Sequence, residues 1–184
     1  MKKLCAIAIL ALLVIAAGCS NSELTTVEAK KIILETFPYP EQVNKQIFCG
    51  DMNQAKRLLD LGFEKDGWVI ITKTKTATEL RKPWIAFTAK SDPYLLPTPE
   101  EEAKYKRQNI KVGEIHFVDV AGIVMDKDGK SAMVSYTTQY KNLTPFAKFF
   151  KFDFSKQIEN KAYFIKYDTG WKIEQQPGPL TPPI

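Results

Sequence analysis

From residue 25 to residue 62 the apolar positions recur at intervals of three and four. Ala29, Ile32, Ile33 and Phe37 form one stripe, and Met52, Ala55, Leu58, Leu59 and Leu61 form a second. That spacing predicts two amphipathic helices. The first starts at Thr25, because Thr25-x-x-Glu28 is a capping box in which each side chain satisfies a free backbone donor. Pro38 and Pro40 stop it. Asp51 caps the second helix and Gly62 closes it. Between the two, Val43 to Cys49 predicts a short strand.

After Gly67 the period changes to two. Trp68 to Thr72 predicts a strand continuing toward Thr76, and Trp84 to Thr88 predicts another. Pro93 to Pro97 encloses Tyr94, Leu95 and Leu96 and reads as an extended link. Thr98-Pro99 followed by Glu100, Glu101 and Glu102 predicts a third, surface helix. There Thr98 caps, the acids face the positive helix end, and Glu100–Lys104 and Glu102–Lys106 pair at i,i+4.

The segments Ile115 to Met125 and Ser131 to Lys141 flank Asp126-Lys127-Asp128-Gly129-Lys130 and predict a long hairpin. In its second arm Ala132, Val134, Tyr136 and Tyr140 share a face. The first arm is apolar on both faces, which predicts a central strand. Strict alternation in that arm puts His116 on one face with Val118, Val120 and Val124. Thr144-Pro145 opens a short helix carrying Phe146, Phe149 and Phe150. Ala162 to Tyr167 and Trp171 to Glu174 form a second hairpin around Asp168-Thr169-Gly170.

Helices first and antiparallel hairpins afterwards predict an α+β fold, with N-terminal helices packed on one face of a curved, mainly antiparallel sheet. With its late Gly170-Trp171-Lys172-Ile173 strand, the arrangement over residues 24–175 resembles the cone-shaped NTF2-like and cystatin-like envelope domains. That resemblance is one of architecture and carries no motif for chemistry.

The N-terminus has a different texture. Lys2 and Lys3 precede 14 consecutive apolar residues, Leu4 to Ala17. The run is too short for a spanning helix, which needs about 20, and it fits the apolar stretch of an export signal. Ala16-Ala17-Gly18-Cys19 comes next, and it resembles the lipobox of bacterial lipoproteins. The resemblance implies cleavage before Cys19, thioether attachment of diacylglycerol to its sulfur, and acylation of the new amino group. Two or more acyl chains make a firm anchor. Ser20 in the next position implies the outer membrane, facing the periplasm, in a diderm cell, and the plasma membrane otherwise. The chain then divides into a signal peptide (1–18), the lipidated Cys19 with a tether (19–23), one α+β domain (24–175) and a Pro-rich tail (176–184).

Cleavage changes the arithmetic. Removing 18 of 184 residues leaves 166, with 24 Lys and Arg against 21 acids. Cys49 is then the one thiol left unlipidated, so no intrachain disulfide forms. Its setting in Gln46-Ile47-Phe48-Cys49 predicts burial.

Few function classes survive this composition. The mature chain cannot supply the Cys and His ligands of a zinc site. Asp126-x-Asp128-Gly129 lacks the remaining acids of a calcium loop and is explained by a hairpin turn. No Gly-rich phosphate loop or dinucleotide fingerprint occurs, so neither a cofactor nor a metal is expected. Phe146, Phe149, Phe150, Phe152 and Phe154 interleave with Lys148 and Lys151. In an exported protein they read as core, and no nucleic-acid partner is expected. Two basic groups, Lys73, Lys75, Arg81, Lys82 and Lys104, Lys106, Arg107, Lys111, read either as solvated surface or as a patch for an envelope polyanion.

The expectation is a lipid-anchored envelope protein with a non-catalytic binding or interaction domain. Its partners are the membrane, through Cys19, and an envelope protein, lipid or glycan. Ligand sites are concave and mostly apolar, so Trp84, Tyr94, Tyr136, Tyr140 and Trp171 are the candidate lining of a sheet concavity. The alternative is a small hydrolase or isomerase built around a pocket in the curved sheet. It would have to use His116, the only His.

Overall fold

Both sequence stripes become helices, α1 (Thr26–Thr36) and α2 (Met52–Asp60), separated by strand β1 (Glu41–Phe48). The structure is a computed structural model and describes residues 23–174. The leader, Cys19 and the Pro-rich tail lie outside the described residues. Thr25 Oγ1 accepts from Glu28 N (3.2 Å), and Asp51 Oδ1 accepts from Asn53 N (2.7 Å), so both start signals act as caps. At the far end of α2, Gly62 N donates to the Leu59 carbonyl (2.9 Å) and Phe63 N to the Leu58 carbonyl (3.0 Å). This pair of bonds closes the helix and delivers Phe63 to the core.

Strands β2 (Val69–Ile71) and β3 (Ile85–Phe87) pair antiparallel as a separate small sheet. The predicted continuation toward Thr76 does not pair; a 3-10 turn at Ala77–Glu79 takes its place. The link after β3 is extended only in its second half. Ala89–Tyr94 winds as a 3-10 turn, and Leu95 then bridges to Ile110.

The third helix, α3 (Glu100–Lys104), is capped by Pro99 rather than Thr98. The Thr98 hydroxyl is engaged elsewhere, accepting from Asn109 N at 2.9 Å. Glu100–Lys104 forms at 3.8 Å. Glu102 does not pair with Lys106, because the helix has ended and Lys106 turns into the left-handed region (φ 58°). Glu102 instead accepts from Gln46 Nε2 (2.6 Å) and Asn109 Nδ2 (3.3 Å).

The remainder is β4 (Arg107–Met125), β5 (Ser131–Lys141), β6 (Gln157–Tyr167) and β7 (Gly170–Glu174). With β1 they make a five-stranded antiparallel sheet in the order β1-β4-β5-β6-β7. β4 begins eight residues before the predicted hairpin arm, and its two ends have different neighbours. Residues 107–115 pair with β1, and residues 114–125 pair with β5 on the other side. The result is an α+β half-barrel, a curved antiparallel sheet with the N-terminal helices packed against it.

The face assignment in β4 differs from strict alternation. The register slips between Phe117 and Asp119 and again between Val120 and Gly122. Each slip is a bulge that inserts one extra residue and reverses the parity of the residues after it. Phe117, Val120, Ile123 and Met125 therefore all pack toward the core, and Val124 is exposed. His116 does not share a face with Val120.

The core has three parts. Ala29 and Ile33 of α1 pack on Val134, Tyr136, Phe164 and Trp171. Leu58 of α2 and Phe63 pack with Ile47, Ile110, Ile85 and Phe146. Val43, Val112, Ile115, Tyr140 and Ala147 lie between. Phe146 and Phe149 come from a 3-10 turn (Pro145–Phe149) opened by Thr144-Pro145, and both are buried.

Candidate functional site

Three of the five candidate aromatics, Tyr136, Tyr140 and Trp171, are buried, and the five are divided among three core clusters. Tyr136 is fully buried, stacked on Phe117 (5.9 Å) and Phe37 (6.4 Å), with its hydroxyl 3.5 Å from that of Tyr39. Trp171 is buried in the same cluster under α1. Tyr140 belongs to the middle cluster, edge-on to Phe152 (5.3 Å) and Phe154 (5.0 Å). Tyr94 packs edge-on against Trp68 (5.8 Å) and Phe146 (6.1 Å). Trp84, like Tyr94, is half-buried, with Lys75 Nζ 3.7 Å from the Trp84 ring centroid.

His116 sits outside this core. Its Nε2 lies 3.1 Å from Glu114 Oε2. Lys111 Nζ donates to Glu114 at 2.6 Å and Asn142 Nδ2 at 2.7 Å. The Lys111 bond first, then Asn142 and His116, hold the Glu114 carboxyl at about 2, against its ordinary 4.5. A carboxylate so firmly ionised makes a poor general acid, which needs a raised pKa. Cys49 is buried as expected, and desolvation pushes its thiol up to about 11. Among the described residues no three His, Cys, Asp or Glu side chains gather as a metal site.

Two depressions open beside the N-terminal half of β4. The larger, about 410 Å³, lies between β1 and the 95–97 link. Its walls are amides, Gln42, Asn44, Gln46 and Asn109, with Lys45, Leu96 and Pro97. Outward positions of β1 and β4 pair here, Gln46 opposite Asn109, which explains the run of amides on one surface.

The smaller, about 310 Å³, lies where β1 ends, lined by Phe48, Gly50, Asp51, Lys104, Tyr105 and Lys106. The Arg107 guanidinium stands 4.7 Å from the Phe48 ring and 5.7 Å from the Tyr105 ring, both walls of this cleft. Arg107 Nε is buried and has no hydrogen-bond partner among the described residues. Lys75 is held below an ordinary lysine by desolvation first and by the charge of Lys106 second, with Glu79 opposing. Lys75 of the first basic group therefore feels the charge of Lys106 of the second.

Half of those eight cations are neutralised by acids. Lys73 pairs with Glu64 (3.4 Å), Lys82 with Glu79 (3.2 Å), Lys104 with Glu100 (3.8 Å) and Lys111 with Glu114 (2.6 Å). Lys75, Arg81, Lys106 and Arg107 have no ion pair among the described residues. Sequence reasoning marked these cations but not their meeting, because only the turn at Cys49-Gly50 brings them together. The one local signal was Phe48 and Tyr105, each adjacent to that turn or to Lys106. No protein-family model, curated protein or solved structure matches the chain.

Proposed function

We propose that the chain is a lipid-anchored bacterial envelope protein whose domain binds a ligand and performs no chemistry. The carrying observation is the order Lys2-Lys3, 14 apolar residues, then Ala16-Ala17-Gly18-Cys19. Charge, run length and a small-residue box ending in a thiol agree with the requirements for export and lipid attachment. Cys19 is the attachment site, and Ser20 favours the outer membrane in a diderm cell. Cys19 stands seven residues before the start of α1 at Thr26, so an extended tether spans roughly 25 Å at most. The domain works against the membrane surface.

Its binding surface is the pair of depressions at the N-terminal half of β4. The firmly ionised state of Glu114 beside the only His supports binding rather than acid–base work. The test is metabolic labelling of the full chain with an alkyne fatty acid. Label on the parent and none on Cys19→Ala is expected. Undiminished label on Cys19→Ala overturns the reading.

A further inference from the structure

The turn after β1 ties three distant segments together. Cys49 N donates to the Lys106 carbonyl (2.7 Å), and the Cys49 carbonyl accepts from Trp84 N (2.7 Å) and Ile85 N (3.2 Å). Lys106 thus flanks the turn on one side. Trp84, with Lys75 over its ring, flanks it on the other. We propose that the cleft at this turn is a binding site for a phosphate group, held by Lys75, Lys106 and the Arg107 guanidinium.

Charge is the first reason. Lys106 lines the cleft and Arg107 stands against its Phe48 and Tyr105 walls, neither with a paired acid among the described residues, and the one carboxylate on the cleft wall, Asp51, is already bonded to Asn53 N as the cap of α2. Glu79 is the nearest acid to act on Lys75, and its carboxylate is taken by Lys82 and Thr76. Lys75 itself donates to the Lys82 carbonyl, which fixes the ammonium over Trp84 without neutralising it.

Geometry is the second reason. Arg107 stands close to two rings of the cleft, and a guanidinium fork matches the oxygens of a phosphate. A cavity of about 310 Å³ suits a headgroup-sized ligand.

The third reason is a backbone cost. Lys106 holds φ 58°, a conformation that favours glycine and costs any other residue. Opposite it stands Gly50, where a Cβ would lie 3.1 Å from Lys106 Cδ. The chain places its glycine where the lysine stem needs room, and keeps the lysine where glycine would fit the backbone. A group that binds anions explains the exchange.

This inference rests on the binding-domain reading and names its ligand chemistry. The phosphate could belong to an anionic lipid headgroup or to a free phosphorylated molecule. The experiment uses the full chain purified in non-ionic detergent. It is titrated with inorganic phosphate and pyrophosphate, and separately with vesicles of phosphatidylcholine, alone or mixed with phosphatidylglycerol. Parent, Lys106→Gly and Arg107→Gln are compared. Binding that both variants weaken at least ~10-fold is expected, with Kd rising as salt is added. Response to the soluble probes alone assigns a free phosphorylated ligand. A phosphatidylglycerol preference lost in the variants assigns a headgroup. Lys106→Gly relieves the left-handed strain, so its Tm should stay level or rise by roughly 2 °C, and lost binding is then not lost folding. Absence of binding to every probe, or variants that bind like the parent, overturns the proposal. Cys19 labelling is read independently, so failure of the anchor and failure of the phosphate site are told apart.

Discussion

The two ends of β4 make contrasting molecules out of one strand. Its C-terminal end, paired with β5, presents Phe117, Val120, Ile123 and Met125 to the cluster beneath α1. The same end carries the exposed Asp119, which meets Lys30 of α1 at 3.5 Å. Its N-terminal end, paired with β1, buries Ile110, Val112 and Ile115 and turns amides and cations outward. There the polar residues bond to each other across elements, as Glu102 does to Gln46 and Asn109. Both ends bury apolar side chains on one face; at the N-terminal end the polar side chains of the other face also fix loops and border open depressions. Both depressions lie at the second end.

The sharpest way to break this contrast is to hollow the core under the polar end. Phe146 is fully buried and contacts the rings of Phe63 (5.4 Å), Phe87 (5.9 Å), Tyr94 (6.1 Å) and Trp68 (6.2 Å). Phe146→Ala should cost about 3–5 kcal/mol in denaturant unfolding. Hydrogen exchange should then rise first in α2, β2 and β3. Uniform loss of protection that includes α1 and β7 would show that the two ends are one cooperative unit.

The junction comes next. Gly113 sits where β1 gives way to β5, beside the register slip at Val43/Asn44. A Cβ there would meet Leu143 Cδ2 at 2.8 Å and the Lys141 carbonyl oxygen at 3.2 Å. Gly113→Ala should cost about 1–3 kcal/mol, as overpacking does, measured as a fall in the urea midpoint. An unchanged midpoint would mean that the junction yields freely.

A smaller loss is expected at the start of α2. Asp51→Ala removes the acceptor of Asn53 N and should cost about 1 kcal/mol. The same change takes the one carboxylate from the cleft wall. Tighter pyrophosphate binding despite lower stability would separate the two roles of this residue.

The gentlest test is acidification. The Glu114 carboxyl is held at about 2 in the folded chain, so the unfolded chain binds the proton more readily. Its stabilising contribution is present above pH 4.5 and is lost as pH falls toward 2. The dependence of the unfolding midpoint on pH should flatten over that window in Glu114→Gln. An identical slope in both proteins would assign the acid sensitivity to other carboxylates.

These two ends also differ in how far the sequence foretold them. The β5 arm and the second hairpin were legible, because Ala132, Val134, Tyr136 and Tyr140 alternate cleanly and are all buried. Residues 107–114 hid the start of β4, since Arg-Gln-Asn-Ile-Lys-Val-Gly-Glu has only two strong apolar positions and needs β1 as a partner to become a strand. Trp84, Tyr94, Tyr136, Tyr140 and Trp171 were legible as large and aromatic. Whether such a ring faces a ligand or the core depends on what the helices and the 3-10 turn cover, which is a matter of tertiary packing. The clustering of Lys75, Lys106 and Arg107 depended on a backbone turn joining three segments, and no local pattern encodes that.

The paired bulges of β4 also set where this chain can change length. Because the side-chain period of a strand is two, removing one residue from most of the hairpin would turn the subsequent core positions out to solvent. Val118 and Ala121 are the exceptions, since each lies in a register slip that has no partner of its own in β5. Deleting either would keep every downstream residue on its present face while straightening the strand beneath α1. Within the β4–β5 pairing, length variation is therefore confined to two addresses, and there its consequence is a flatter sheet rather than an inverted one.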